Sequence, residues 1–197
     1  MCNLYKMTRT VDEVARLFGA IADPPGNAGD TVYPGWVVAG GALRSMVWGF
    51  PLVLKGKNGQ PLKPKPVNNC RTDKLDSLMW RYSFQERRCL IPVTAFCEAE
   101  GEKGAKTRTW FSLPDEELFA VAGIWRDTAE WGAAYSMVMT EACEHVAGVH
   151  DRMPAILPRG DWADWLDGPP DAAGLLCRPF EGVMTVLKTD EQWVRRA

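Results

Sequence analysis

Residues 107–140, TRTWFSLPDEELFAVAGIWRDTAEWGAAYSMVMT, decide the fold class. Apolar, aromatic and β-branched residues fill Thr107–Leu113, Leu118–Trp125 and Ala134–Thr140, with polar breaks at Pro114-Asp115 and 126–132. Such residues suit a pleated, half-buried surface, and sequential strands joined by short turns pair antiparallel. Upstream, Arg87–Glu98 (RRCLIPVTAFCE) reads as one strongly apolar strand that ends in a carboxylate. Thr31–Val38 and Leu43–Phe50 read as strands joined at Gly40-Gly41, a hairpin signal, and Gly182–Lys188 reads as a last strand.

Helices are fewer. Thr10-Val-Asp-Glu13 forms a capping box, followed by Val11, Val14, Ala15 and Phe18 at helical spacing and stopped by Gly19 and Pro24-Pro25-Gly26. Thr72 or Asp73 is expected to cap a helical stretch through about Tyr82. Residues 141–149 read as helical, and Asp161 as the cap of a Trp-rich helix 162–166 that Gly168-Pro169-Pro170 stops. The expected class is α+β: a mostly antiparallel, curved or barrel-like sheet with a few peripheral helices. With 197 residues, 46% of them apolar, and no repeat or linker, residues 1–197 read as one globular domain.

A formal net charge of −2 advertises no global basic field, so any polyanion site must be local. The Lys- and Pro-rich segment 55–66, with Asn58-Gly59 as a tight turn, reads as a solvated surface loop. Six cysteines (2, 70, 89, 97, 143, 177) show no C-x-x-C pair and no histidine at zinc-ligand spacing. No metal or organic cofactor is expected. Neither a signal peptide nor a membrane span is evident, so a cytoplasmic protein with reduced, mostly core-filling cysteines is expected.

Three positions carry candidate chemistry. If Met1 is removed, Cys2 presents an α-amine, with a reference pKa of about 7.7–8.0, and a thiol, at about 8.5, on one residue. A 1,2-aminothiol captures an aldehyde as an imine, which the sulfur then closes to a thiazolidine; the alternative is an idle terminus. Glu98, at the end of an apolar strand, is either a surface residue or a carboxylate at a pocket rim with a raised pKa. His150 stands in a polar cluster with Asp151 and Arg152, where an imidazole could carry protons near neutrality.

Met1-Cys2, Trp48-Gly49, Asn69-x-Arg71, Arg87-Arg-Cys-Leu-Ile-Pro92, Phe96-x-Glu98 and His150-Asp-Arg-Met-Pro154 follow one another in order. Over about residues 2–187 this set resembles the SRAP family, the SOS-response-associated peptidases. The resemblance implies an abasic-site processing protein that links itself covalently to single-stranded DNA and shields the lesion. Its implied site is Cys2 as amine and thiol, His150 assisting sugar opening, Glu98 orienting or deprotonating the amine, and Asn69 holding the sugar. Asn68, next door, could supply that amide instead. Arg71 and Arg152 resemble phosphate contacts, and Pro34 and Trp48 resemble residues that pack against bases.

The implied partner is single-stranded DNA containing abasic sites, met by a monomer. The family name adds peptidase-like self-processing, for which only Met1 is present here. Two departures stand out. Many members follow the cysteine with Gly-Arg, where this chain has Asn3-Leu4, and many have Trp after the glutamate, where this chain has Ala99. The alternatives to a covalent abasic-site sensor are an N-terminal-nucleophile cysteine peptidase acting on proteins and a non-covalent single-stranded-DNA-binding module.

Overall fold

The computed structural model describes residues 2–22 and 34–193. The expected helix stop at Pro24-Pro25-Gly26, and Thr31–Tyr33 of the first predicted strand, lie outside them.

A short strand β1 (Leu4–Lys6) leads into helix α1 (Val11–Phe18). The capping box forms as expected: Thr10 Oγ1 accepts from the Glu13 N–H, and the Glu13 carboxylate accepts from the Thr10 N–H at 2.9 Å. After β2 (Ile21–Ala22), strands β3 (Pro34–Ala39) and β4 (Ala42–Trp48) make the expected hairpin. Gly40 and Gly41 both sit at positive φ (57° and 72°), the left-handed pair that a two-residue turn between right-twisted strands requires. Strands β5 (Phe50–Leu52) and β6 (Lys65–Val67) flank the exposed lysine loop, and β7 (Asn69–Arg71) follows.

Helix α2 spans Arg81–Glu86, later and shorter than predicted, with only a 3-10 turn at Thr72–Lys74. Asp73, expected as a cap, is instead gripped by Arg71 through two hydrogen bonds of 2.8 Å. The single strand predicted over Arg87–Glu98 is two, β8 (Arg88–Val93) and β9 (Ala95–Glu100). The chain bends at Thr94, whose N–H and Oγ1 both donate to the Lys6 carbonyl, and β9 leaves for a different sheet. Glu98 is therefore a mid-strand residue rather than a strand end.

Strands β10 (Thr107–Ser112), β11 (Phe119–Thr128) and β12 (Gly132–Glu141) match the sequence reading. Helix α3 (Glu144–Ala147), β13 (Arg152–Pro154) and β14 (Ile156–Leu157) come next. Helix α4 (Trp162–Asp167) forms where expected, although Asp161 makes no side-chain cap. Helix α5 (Pro170–Leu176) is new: Pro170 stands at its first turn, where a missing N–H costs nothing. The last strand, β15, runs Thr185–Gln192, further along than predicted.

Strands β3, β4, β12, β11 and β8 close into a five-stranded barrel-like ring. Closure comes from a parallel contact, Ala134 with Val47 and Tyr135 with Trp48, while β3 and β8 meet at Val38 and Leu90. A second, antiparallel sheet has the order β1-β9-β10-β15. Side-chain alternation along the ring gives two cores. Val38, Leu43, Leu90, Ala122 and Val138 pack with residues of α1, α2, α4 and α5, while Val37, Met46, Ile91, Val121 and Met137 pack with Phe96 and Phe111 of the second sheet. The class is α+β and mostly antiparallel, as expected.

Arg88 ties helices to ring. Its buried guanidinium donates to the carbonyls of Phe84 and Gln85 at the end of α2, and of Trp165, Leu166 and Gly168 at the end of α4. Helix C-termini leave carbonyls unpaired, and a cation is the natural partner. Arg88→Met should strand these acceptors and lower stability by about 3 kcal/mol, read as a reduced urea midpoint with an unchanged slope.

Candidate functional site: the Cys2 centre and its cavity

The centre is assembled by sheet pairing. Strand β1 lies antiparallel to β9, with Leu4 opposite Cys97, a register that carries Cys2 towards Glu98. Strand β7 lies parallel to β12, with Asn69 opposite Met137. The two meet at Cys2: Asn69 Nδ2 donates to the Cys2 carbonyl at 2.7 Å, and both residues are buried. Of the two neighbouring amides, it is Asn69 that contacts Cys2, while the Asn68 backbone carbonyl accepts from Trp48 Nε1 at 3.1 Å.

Electrostatics link the rest. Burial, and then the negative charge of Glu98, push the Cys2 thiol up to about 12, so at neutral pH it is a thiol rather than a thiolate. Glu98 is only 2% exposed. Burial pushes its carboxyl up to about 7, partly offset by nearby positive charge and reinforced by Asp151. Of the two readings of Glu98, the structure selects the perturbed carboxylate.

His150 is reached through the turn after α3, where its N–H donates to the Val146 carbonyl and the Asp151 carbonyl accepts from the Ala142 N–H. Its Nδ1 accepts from the Arg152 N–H at 2.9 Å. The same Nδ1 lies 2.9 Å from an Asp151 carboxylate oxygen. Burial lowers the His150 pKa, with Asp151 acting against it. Asp151 thus acts on both Glu98 and His150, placing the three in one electrostatic neighbourhood.

Arg71 and Arg152 flank the far end of β12, opposite Met139 and Glu141 respectively. Pro34 and Trp48 lie elsewhere, in a cavity of about 700 Å³ that is also lined by Asn3, Leu4 and Tyr5 just beyond Cys2. Trp48 is mostly enclosed. It stacks on Tyr135 with ring centroids 6.5 Å apart, meets Tyr5 edge-on at 5.0 Å, and is 8% exposed.

Sequence reasoning missed the pair behind it. Tyr5 and Tyr135 join hydroxyl to hydroxyl at 2.6 Å across 130 positions of chain, a separation no local pattern betrays. Burial pushes the Tyr5 hydroxyl up to about 12 and raises that of Tyr135 well above its ordinary value, so both stay protonated at neutral pH. Gly35 leaves the room: a Cβ there would lie 2.0 Å from Tyr135 Oη and 2.3 Å from Tyr5 Oη. Gly35→Ala should break the pair and cost about 3 kcal/mol, visible as a lower melting temperature.

All six cysteines are buried free thiols. Among the described residues, no cluster of His, Cys, Asp or Glu could hold a metal ion, and no helix is long and apolar enough to cross a membrane.

A ring-shaped sheet packed on a second sheet, with a buried Cys2 bound by Asn69 and near the charge of Glu98, defines the class, and the chain belongs to the SRAP family: the family model described as SOS response associated peptidase matches residues 1–192. Among its relatives is the abasic site processing protein YoqW of Bacillus subtilis, 29% identical over 71% of this chain and 65% of that protein. Another is the abasic site processing protein HMCES of Gallus gallus, 27% identical over 72% of this chain and 51% of that one. The yeast relative YMR114C, carrying the same description, is 27% identical over 64% of this chain, and the match spans only 35% of its own length. A crystal structure of a Bordetella bronchiseptica protein covers 94% of this chain and 98% of its own, with a TM-score of 0.76 at 20% identity, a likeness of fold.

Proposed function

We propose that this chain processes abasic sites in single-stranded DNA and traps them as a thiazolidine on Cys2. The observation that carries the reading is the Cys2 centre itself: its carbonyl held by Asn69, and its thiol raised by burial and then by the charge of Glu98. The names of the relatives supply the substrate class.

In the proposed sequence, Met1 is removed and the Cys2 amine attacks the aldehyde carbon of the ring-opened deoxyribose. Loss of one water gives the imine. The thiol then adds across the C=N bond, with sulfur taking the carbon and the thiol proton passing to nitrogen. Because the thiol is protonated at neutral pH, the amine would act first, with Glu98, whose charge reaches the Cys2 thiol and whose own pKa is raised to about 7, as the base. His150, whose pKa burial lowers, would supply the proton to the sugar ring oxygen as the ring opens. Lyase-like cleavage of the strand would compete from the imine, and ring closure removes that route. Arg71 and Arg152 would hold phosphates, with Arg71 exchanging Asp73 for the ligand.

The test is a denaturing gel of the protein with a strand carrying one abasic site, followed by intact-mass measurement. A heat-stable adduct on the abasic strand alone, with a mass equal to both components less Met1 and one water, is the expected result. Absence of any adduct from protein whose Cys2 is shown to be N-terminal would sink the reading. His150→Ala should slow adduct formation about 100-fold without lowering its final yield, as loss of one acid–base group does.

A further inference from the structure

Charge is spread unevenly along the chain. Residues 31–72 hold six cationic side chains, Arg44, Lys55, Lys57, Lys63, Lys65 and Arg71, and no carboxylate, so the formal −2 divides into +6 over this stretch and −8 over the rest. The four lysines stand on one ribbon. Strands β5 and β6 pair Phe50 with Val67 and Leu52 with Lys65. Pairing runs on through the Leu62 N–H, which donates to the Leu54 carbonyl at 2.8 Å, and through a bridge between Lys55 and Pro61. The tip is closed by the Gly56 N–H on the Gln60 carbonyl at 2.8 Å and turns at Gly59, where φ is 79°. The segment is thus exposed, as expected, yet its backbone is held in a defined ribbon. Lys55, Lys57, Lys63 and Lys65 are all exposed, and among the described residues none of them has an ion-pair partner.

The root of the ribbon abuts the Cys2 centre. The Val67 carbonyl accepts from Ser136 Oγ at 2.7 Å, and Asn69, two residues on, holds the Cys2 carbonyl. We propose that this lysine ribbon is a backbone-binding arm, which holds phosphates of the DNA strand several nucleotides away from the reacting one. The inference rests on the single-stranded-DNA reading of the Cys2 centre. From Pro66 to the tip the ribbon spans about 20 Å at the rise of a β-strand, so its outer lysines lie well beyond a sugar held at Cys2. Their ammonium groups meet the opposite charge of a polyphosphate, and a lysine on a flexible stem takes that charge without demanding one geometry. The rest of the chain, net acidic, repels a polyanion and so confines the strand to this side. Phosphate contacts carry no sequence information, which suits a lesion that occurs in any sequence.

The test reads salt dependence. A fluorescein-labelled single strand of about 15 nucleotides carries tetrahydrofuran at its centre in place of the abasic nucleotide, so that no aldehyde exists and anisotropy reads binding alone. Each lysine that neutralises a phosphate should contribute about 0.7 to the slope of log affinity against log salt. Lys55→Gln, Lys57→Gln, Lys63→Gln and Lys65→Gln together should therefore lower that slope by about 3 and weaken binding by about tenfold or more at about 50 mM salt. Four arginines in the same places should keep the wild-type slope. On a strand of about five nucleotides, which ends short of the outer lysines, wild type and the glutamine variant should bind alike. Thermal melts guard against misfolding, and Lys57→Gln with Lys63→Gln carries the comparison if the fourfold variant melts early. Equal slopes for wild type and the glutamine variant on the long strand would overturn the inference. So would an equal loss on the short strand, since the lysines would then act through overall charge or at the reacting nucleotide. A protein that forms no covalent adduct yet shows the lysine dependence would lose the thiazolidine reading and keep this one; an adduct with an unchanged slope would do the reverse.

Discussion

Cys2→Ala is expected to abolish the heat-stable adduct with an abasic strand, a loss of more than about 100-fold, while a borohydride-trappable imine survives. The variant keeps an N-terminal amine, so the first bond still forms, but no sulfur remains to close the ring. Imines hydrolyse, and only the thiazolidine should outlast heating. The fold should tolerate the change, because Asn69 binds the Cys2 backbone carbonyl rather than its side chain. A Cys2→Ala protein giving as much heat-stable product as wild type would show that another nucleophile does the chemistry. The buried, strongly raised thiols of Cys70 and Cys89 offer no obvious substitute.

Glu98→Gln should have two linked effects. As the base beside Cys2, the carboxylate is expected to contribute about 10²–10⁴-fold to the rate of adduct formation, and glutamine cannot accept that proton. Wild-type rates should accordingly climb as pH rises through about 7, where Glu98 ionises, and the glutamine variant should lose that rise. The second effect is on stability. Glu98 has a folded-state pKa above its unfolded value of 4.5, so its contribution is intact below pH 4.5 and is lost as pH rises through about 7.

That displacement corresponds to about 3 kcal/mol at pH 8, since burial disfavours the charged form. Glu98→Gln, uncharged and nearly isosteric, should be the more stable protein at pH 8 and about equal to wild type at pH 4. Urea unfolding at the two pH values measures this directly. A slower yet more stable variant would mark Glu98 as a group held against stability for the sake of chemistry. Parallel stability curves for the two proteins would mean that Glu98 titrates normally.

Much of the fold was legible from local pattern. The hairpin at Gly40-Gly41, the capping box at Thr10 and the three strands over 107–141 all follow from short-range rules of turn chemistry, backbone satisfaction and side-chain alternation. Failures came where a distant group intervened. Thr94 bends an apolar run because the Lys6 carbonyl, 88 residues away, takes its N–H and hydroxyl. Asp73 does not cap a helix because Arg71 already holds it.

The candidate site divides the same way. Residue types and their order pointed to Cys2, Asn69, Glu98 and His150, because an aminothiol, a carboxylate and an imidazole have recognisable chemistry wherever they stand. Their protonation could not be read, since a pKa depends on burial and on neighbouring charges that only folding supplies. The sequence by itself therefore determined the class of fold and the family and pointed to the candidate reactive groups, all of which rest on local pattern and residue chemistry. Tertiary structure alone decided that Glu98 is buried mid-strand rather than exposed at a strand end, and that Asn69 rather than Asn68 reaches Cys2. It also decided that Trp48 is mostly enclosed, because each of these depends on which distant strands the ring and the second sheet bring side by side.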